Sequence, residues 1–577
     1  MKRHILILSL ALIAISAFAQ HDEQVTVEGK YRPKVNKVNK LKLTPETPQP
    51  SYEFPSSEVS PKETTQKFAL DLEKIAPTAF SSKNDKLVTP TENFLMAGIG
   101  TRISPIFLYK HNSMLNKTLG LGVGVKHNSS WLNVDDYAPS AYMNNVFEVN
   151  LTTSKFDGLQ VDGGVFYKND MYHYYGMNLA EIPVSFTDAQ IEKACPRQTY
   201  NTIGTHLGVA STSTHSGELS HSGSLDYRYT FDSFDANEHF VDAEYSLGYA
   251  QNWWGDRDHP QKVGVDVGIQ YDGFKLKSDV SGNNRILFKV NPFFEMRDEF
   301  YRLHFGARVD VATRVSLDDK ILAVRPDISG SLFVLNKKLE FYANLNGGRK
   351  LVTFSEIVEE NPFYSNLPYC SSWCVQNVKL AFEGGVRTNI AEIVDLHLGV
   401  RYRSTNNDPL YQQRIVTLFL PITSESQIPI WNSYELIYDE TQTVSVLANA
   451  RVKLRNSLTA DLGLAYNNCT PTVEEYAWYR PTVEGKLKLT YDFNEQLAFN
   501  ASCLYQGGRY AKLFTTDSYQ SEKLKDIFDL SLGADYKVND QITAFALLDN
   551  VAHQKYHLYL NYPVTGIQFF AGVKLRF

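Results

Sequence analysis

From about residue 94 to the C-terminus, apolar and polar residues alternate in runs of about ten to sixteen, each ended by turn residues. In Asp526–Val538, Leu530, Leu532, Ala534, Tyr536 and Val538 share one phase. Asp529, Ser531, Gly533, Asp535 and Lys537 share the other. Val483–Phe493 repeats the design: Val483, Leu487, Leu489, Tyr491 and Phe493 oppose Glu484, Lys486, Lys488, Thr490 and Asp492. Arg302–Val311 does the same, with Arg302, His304, Arg308 and Asp310 on the polar side. Successive side chains of a strand point to opposite faces, so a period of two predicts strands.

The runs are longer than the five or six residues of an ordinary soluble strand. A strand crossing a bilayer needs about nine to eleven residues, with lipid-facing and lumen-facing positions alternating. A soluble sandwich also alternates, but with shorter strands and not across most of a 577-residue chain. Short polar turns at Arg297-Asp298, Asn336-Lys337-Lys338, Asn456-Ser457, Asn494-Glu495 and Asn539-Asp540 alternate with long segments at 177–198, 353–373, 406–439, 468–480 and 508–525. Short turns at one end and long loops at the other are the habit of membrane barrels. The expected fold is therefore all-β: a transmembrane antiparallel β-barrel of about 20–22 strands, 22 preferred, because an unpaired strand edge cannot be hydrated in lipid. About twenty strands are counted from Leu119 to Phe577, and Leu95–Tyr109 is read as one more. Even parity then asks for another, sought within 60–92.

The N-terminus predicts export. Met1–His4 is a basic start, Ile5–Ile15 an apolar stretch and Ala17-Phe18-Ala19 a small-residue cleavage site. The domain reading is a signal peptide at 1–19, a Pro-rich segment at 20–92 acting as a partial plug or periplasmic tail, and a barrel at 93–577. Eight of the 23 prolines fall between Pro33 and Pro90, which predicts extended or irregular chain there.

Composition removes other classes. Hydrophobic residues make up 43% and mean hydropathy is −0.29, and beyond residues 5–19 there is no long apolar run, which excludes a bundle of membrane helices. A net charge of −7 argues against a nucleic-acid binder. Aromatics at 13% argue against disorder. Five cysteines are too few for a disulfide framework; Cys370 and Cys374 are spaced to pair, and Cys503 shares the apolar phase of its strand.

Candidate chemistry is sparse. No G-x-S-x-G, H-E-x-x-H or P-loop pattern is present, and no Cys/His spacing suits zinc. No catalytic residue, cofactor or metal is expected. His127 and His173 are read as strand-end and loop chemistry, the Asp135-Asp136 pair as a solvated turn, and Trp253-Trp254 as a membrane interface marker. Segment 353–373 mixes aromatics with carboxylates and amides: Glu356, Glu359, Asn361, Tyr364, Tyr369 and Trp373 are candidate ligand contacts for a sugar or peptide, and packing over the barrel mouth accounts for them equally well. Val25, Thr26 and Val27 form a short β-branched run suited to adding a strand to a partner's sheet edge.

The last strand sets Phe569, Ala571, Val573, Leu575 and Phe577 against Phe570, Gly572, Lys574 and Arg576. A terminal aromatic on an amphipathic strand resembles the signal by which outer-membrane barrels are inserted, with Phe569, Val573, Leu575 and Phe577 carrying it. Asp529–Phe577 resembles the end of TonB-dependent receptor barrels, through its final strands, Asp549-Asn550-Val551 and Lys555-Tyr556. Ala97–Trp131, Met171–Gly176 and Glu360–Phe363 resemble a plug-poor group of the same kind. The departure is at the N-terminus, where residues 20–92 are too few for the receptors' full plug and the plug's arginine-glycine stretch is missing. The resemblance implies an outer-membrane protein that binds or passes a nutrient. The partners implied are outer-membrane lipids, TonB or periplasmic and lipoprotein partners, and the barrel assembly machinery. The alternatives are a structural or assembly subunit of an outer-membrane complex and, last, an outer-membrane enzyme.

Overall fold

A computed structural model describes residues 92–577 except 157, 182–186, 212–215, 255–258, 277–282, 314–319, 366–374, 391–392, 414–432, 455–456 and 515–517. The signal peptide, the Pro-rich segment, Val25–Val27, Tyr369, Trp373, Cys370 and Cys374 lie outside the described residues.

The strands, in chain order, begin with β1 (Asn93–Gly100), β2 (Ser104–Met114), β3 (Leu119–Ser130), β4 (Tyr142–Thr153), β5 (Leu159–His173) and β6 (Arg197–Ser211). They continue with β7 (Leu219–Asp232), β8 (Asn237–Gln251), β9 (Gln261–Lys275), β10 (Asn283–Arg297), β11 (Tyr301–Ala312), β12 (Leu322–Val334) and β13 (Leu339–Leu351). Then come β14 (Val375–Ile390), β15 (Val394–Gln413), β16 (Tyr434–Leu454), β17 (Leu458–Pro471), β18 (Val483–Asp492) and β19 (Leu497–Gly507). The last are β20 (Tyr510–Phe514), β21 (Tyr519–Lys523), β22 (Ile527–Lys537), β23 (Ile542–Asp549), β24 (His557–Tyr559), β25 (Tyr562–Pro563) and β26 (Gln568–Arg576). Two short helices interrupt them, α1 (Asp188–Ala194) and α2 (Phe354–Glu360).

Twenty-two of these strands form one antiparallel sheet; β20–β21 and β24–β25 are separate hairpins in the long loops. The sheet closes on itself. β1 pairs with β26 from Phe94↔Arg576 to Gly100↔Phe570, and the main chains of Asn93 and Phe577 exchange hydrogen bonds of 2.9 and 3.1 Å. At this seam Gly100 makes room for the fully buried Phe570 ring, which any side chain there would strike.

The preferred count of 22 holds, but its last strand comes from a different place than expected. Leu95–Tyr109 is two strands, not one, joined by a turn at 101–103 in which Arg102 and Ile103 take left-handed backbone angles (φ 69° and 52°). A β-branched residue in that region is uncommon, so the turn carries none of the usual Gly, Asn or Pro signature.

The outer wall is apolar. Leu207, Val165 and Ile203 are each about half exposed, as are Phe147 and Leu151 on the neighbouring strand. These residues occupy the outward phase, where lipid takes the place of a protein core. The seam strands are short, at 8 and 9 residues, while β15 and β16 run to 20 and 21. The ends of the 406–439 segment are thus strand extension, and 508–525 contains the β20–β21 hairpin.

Candidate functional site

The short turns at 297–298, 336–338, 494–495 and 539–540 lie at one end of the barrel, and at the other end the segments 353–365 and 550–567 fold inward over the mouth. The central piece is the segment after β13. Thr353 caps α2, accepting from Glu356 N at 3.3 Å. The carboxylate of Glu238, buried at the start of β8, accepts from the main-chain amides of Phe354 and Ser355. Arg285 pairs with Asp272 and also donates to Val352 O, which fixes the approach to the helix.

Tyrosines from across the barrel fasten α2 and the residues after it. Tyr200 donates to Pro362 O at 2.9 Å, Tyr174 to Tyr364 O at 2.8 Å, Tyr559 to Glu360 O at 2.9 Å and Tyr411 to Ile357 O at 3.3 Å. Ile357 O also accepts from Asn361 N within the helix, but the buried carbonyls past it, of Glu360, Pro362 and Tyr364, rely on the tyrosines, and an unsatisfied one costs about 1–3 kcal/mol. The same device ties in the 550–567 loop, where Tyr434 donates to Leu560 O at 2.7 Å and Tyr175 to Pro563 O at 2.9 Å. Between these bonds the rings pack: Phe363 stacks on Tyr562 with centroids 3.6 Å apart, and Tyr175 meets Tyr562 edge-on at 4.9 Å. Phe354, Phe363, Tyr364, Tyr434, Trp478 and Tyr562 are among the most deeply buried large side chains.

Polar clips surround this apolar cap. Arg480 forms a two-pronged pair with Asp408 (3.0 and 2.5 Å), which also accepts from Thr441 at 2.6 Å and Gln376 at 2.8 Å. Arg509 donates to main-chain carbonyls, those of Leu558, His557 and Lys525. Burial pulls its pKa down to about 10. Burial pushes the Glu360 carboxyl up to about 7, against the opposing pull of Arg480 and the Tyr411 hydroxyl.

The candidate contacts of segment 353–373 are divided by this arrangement. Asn361 and Tyr364 are fully buried in the cap, where Asn361 Oδ1 accepts from Phe363 N at 3.0 Å. Glu356 pairs with Lys350 at 3.2 Å, and the half-exposed Glu359 pairs with Lys168 at 3.4 Å. The tyrosines that hold the cap do not stand out in the sequence. Their one signal is the tyrosine-rich stretch Tyr172–Tyr175, which reads equally well as a membrane girdle. The Asn550…Tyr556 stretch anchors its loop from within: Asn550, at a left-handed φ of 48°, donates to Gln554 O and Thr565 O, and Tyr556 donates to Asp529 at 2.8 Å. Phe569, Val573 and Phe577 lie exposed, on the outward phase of β26 with Leu575. His127 also faces outward, bonded to Asn145 at 2.7 Å and Ser129 at 3.0 Å. Trp253 and Trp254 are exposed at the short-turn end, against Phe294.

Below the cap the lumen wall is charged, and its partners sit on neighbouring strands or, for Lys289 and Glu244, two strands apart. His206 lies between Asp226 (2.7 Å) and Asp162 (3.1 Å), and Lys289 reaches Glu244 at 3.4 Å. Across the barrel, Arg401 pairs with Glu383 at 2.7 Å and Arg451 with Asp461 at 2.5 Å. Among the described residues no group of three or more His, Cys, Asp or Glu is arranged to hold a metal.

The sequence matches no family model and no curated protein. Its shape does match solved structures. The pyoverdine outer membrane receptor FpvA from Pseudomonas aeruginosa PAO1 aligns over 85% of this chain and 79% of its own, with a TM-score of 0.61 at 11% identity. The siderophore receptor PirA from Acinetobacter baumannii aligns over 85% and 81%, with a TM-score of 0.60 at 11% identity. The copper transporter OprC gives 0.55 at 13% identity, over 85% and 81%. The fold is that of a TonB-dependent receptor barrel. At these identities the likeness is one of fold.

Proposed function

We propose that this chain is an outer-membrane barrel of TonB-dependent-receptor type that takes part in binding or passing a nutrient across that membrane. The observation that carries the reading is a closed 22-strand wall, shaped like receptors for siderophores and copper, whose mouth is shut by a tyrosine-fastened cap. Such a barrel is too wide to be filled by its own wall side chains, so traffic through it has to be gated. Export uses residues 1–19, insertion uses the outward face of the last strand, and Val25–Val27 offers a strand to TonB or another periplasmic partner. Glu356 and Glu359, the cap carboxylates that keep solvent exposure, are the ligand contacts of this reading. No catalytic step is proposed.

The test is single-channel conductance of three forms: the full chain, a form lacking residues 20–92, and a full chain with Phe363→Ala. Conductance that appears only on truncation assigns the gate to the N-terminal segment. Conductance that appears only with Phe363→Ala assigns it to the cap. Silence in all three overturns the transport reading and favours a structural subunit of an outer-membrane complex, the reading that a sealed mouth also suits.

A further inference from the structure

On the lumen face of β5–β11 the wall is hollowed into a recess of about 470 Å³. The hollow arises from small residues. Ser222, Ser224, Ser246 and Gly268 stand at inward positions where other parts of the wall carry long side chains. The volume falls within the range of ordinary small-ligand sites.

The recess is acidic, and its cations are already engaged. Asp162, Glu244 and Asp266 line it. Asp226 and Asp327 stand beside it, bonded to the lining residues His206 and Asn291, and Asp242 lies opposite Asp226 on the adjacent strand. Against the three lining carboxylates stand two permanent cations, both lining residues too. Lys289 is held by Glu244 at 3.4 Å and Arg308 by Asp327 at 3.7 Å. His206 is taken by Asp162 and Asp226. Asp266 has no cationic partner among the described residues; it accepts from Asn291 Nδ2 at 3.2 Å. Asn291 lines the recess at only 5% exposure, and its Oδ1 has no hydrogen-bond partner among the described residues. A carboxylate without a counter-ion calls for N–H groups that carry positive charge, and a buried carbonyl oxygen without a donor calls for an N–H group of any charge.

We propose that this recess binds a small organic cation with more than one ammonium group, Asp266 and Glu244 taking one end and Asp162 the other. The chemistry favours amines over a bare metal ion, because the carboxylates are spread along three strands and not gathered around one point. This rests on the transport reading only in naming what the lumen would hold; binding itself requires no passage.

The probe is spermidine, titrated by calorimetry into the purified full chain at low and at physiological salt. The expected result is binding that weakens as salt rises, and that weakens at least tenfold in an Asp162→Asn, Glu244→Gln, Asp266→Asn variant whose heat-dependent gel migration shows an intact barrel. Asn291→Ala should weaken binding less while leaving its salt dependence unchanged. Absence of binding to the unmodified chain overturns the proposal. So does equal binding of spermidine to the triple variant, or equal binding of an uncharged polyol to the unmodified chain. A barrel that binds spermidine at the recess yet never conducts refutes the transport reading and leaves this one standing. One that conducts but ignores spermidine does the reverse.

Discussion

The cap and the lumen wall beneath it use similar residues to opposite ends. In the cap, tyrosine hydroxyls and a few arginines are sealed among rings, and their polar groups bond to main-chain carbonyls or buried partners. On the wall, polar side chains bond to counterparts one or two strands away and stay partly exposed to the lumen. Buried polar groups cannot be exchanged for water, so each cap contact is costly to lose. Wall contacts compete with water throughout, and an exposed ion pair contributes about 0–1 kcal/mol. The barrel thus combines a tightly specified lid with a forgiving lining. That division suits the gated passage proposed above, in which the lining has to release what the lid admits.

The strongest way to break this contrast is at Phe363. Its ring is stacked on Tyr562 and buried to 2% exposure. Phe363→Ala should cost about 3–5 kcal/mol locally, as large-to-small changes in packed cores do. The 22-strand ladder does not depend on this ring, so the loss should appear as cap opening with an intact barrel. Limited proteolysis within 353–365 should accelerate while heat-dependent gel migration stays unchanged. Loss of the barrel itself would show that cap and wall form one cooperative unit.

The wall is far more legible in the sequence than the cap. Period-two alternation reports which face each residue takes, and it locates the strands, the outward phase of Phe569, Val573 and Phe577, and the placement of the short turns. It fails at 101–103 because Thr101, Arg102 and Ile103 do not look like a turn. The cap eludes pattern reading for a different reason. A tyrosine at a strand end has the same signature whether it points to a lipid headgroup or to a carbonyl on a loop 162 or 190 residues away in the chain, as Tyr200 and Tyr174 do. The aromatic and amide content of 353–373 is visible, but the inward burial of Asn361 and Tyr364 is not. The recess is equally hidden, since its small residues become a hollow only when β7, β8 and β9 stand side by side.

A pH change sharpens the contrast with a smaller effect. Glu360 is buried in the cap with its carboxyl raised to about 7, against an ordinary value of 4.5. Between those values the closed cap holds a proton that the open one releases, so closure weakens as pH rises. The contribution is complete below about 4.5 and gone above about 7, amounting to about 3 kcal/mol over the window. Hydrogen exchange of the 354–364 amides, corrected for its intrinsic pH dependence, should show more opening at pH 8 than at pH 5.5. Glu360→Gln should flatten that difference. A profile unchanged by the substitution would place the pH sensitivity elsewhere.

The smallest effect belongs to the wall, and it tests whether the lining is as forgiving as its exposure implies. Lys289 reaches Glu244 at 3.4 Å, and the glutamate side chain is 58% exposed. Losing one exposed partner leaves the other free to hydrate, so Lys289→Ala should change barrel stability by less than about 1 kcal/mol. The electrostatic consequence points the other way. Removing the lysine deepens the acidic recess by one charge, so spermidine should bind more tightly to Lys289→Ala than to the unmodified chain, and most clearly at low salt. Denaturant titration and calorimetry on the same sample separate the two effects. A large loss of stability would mean that the wall is specified as tightly as the cap, and weaker amine binding would mean that Lys289 shapes the recess instead of competing for it.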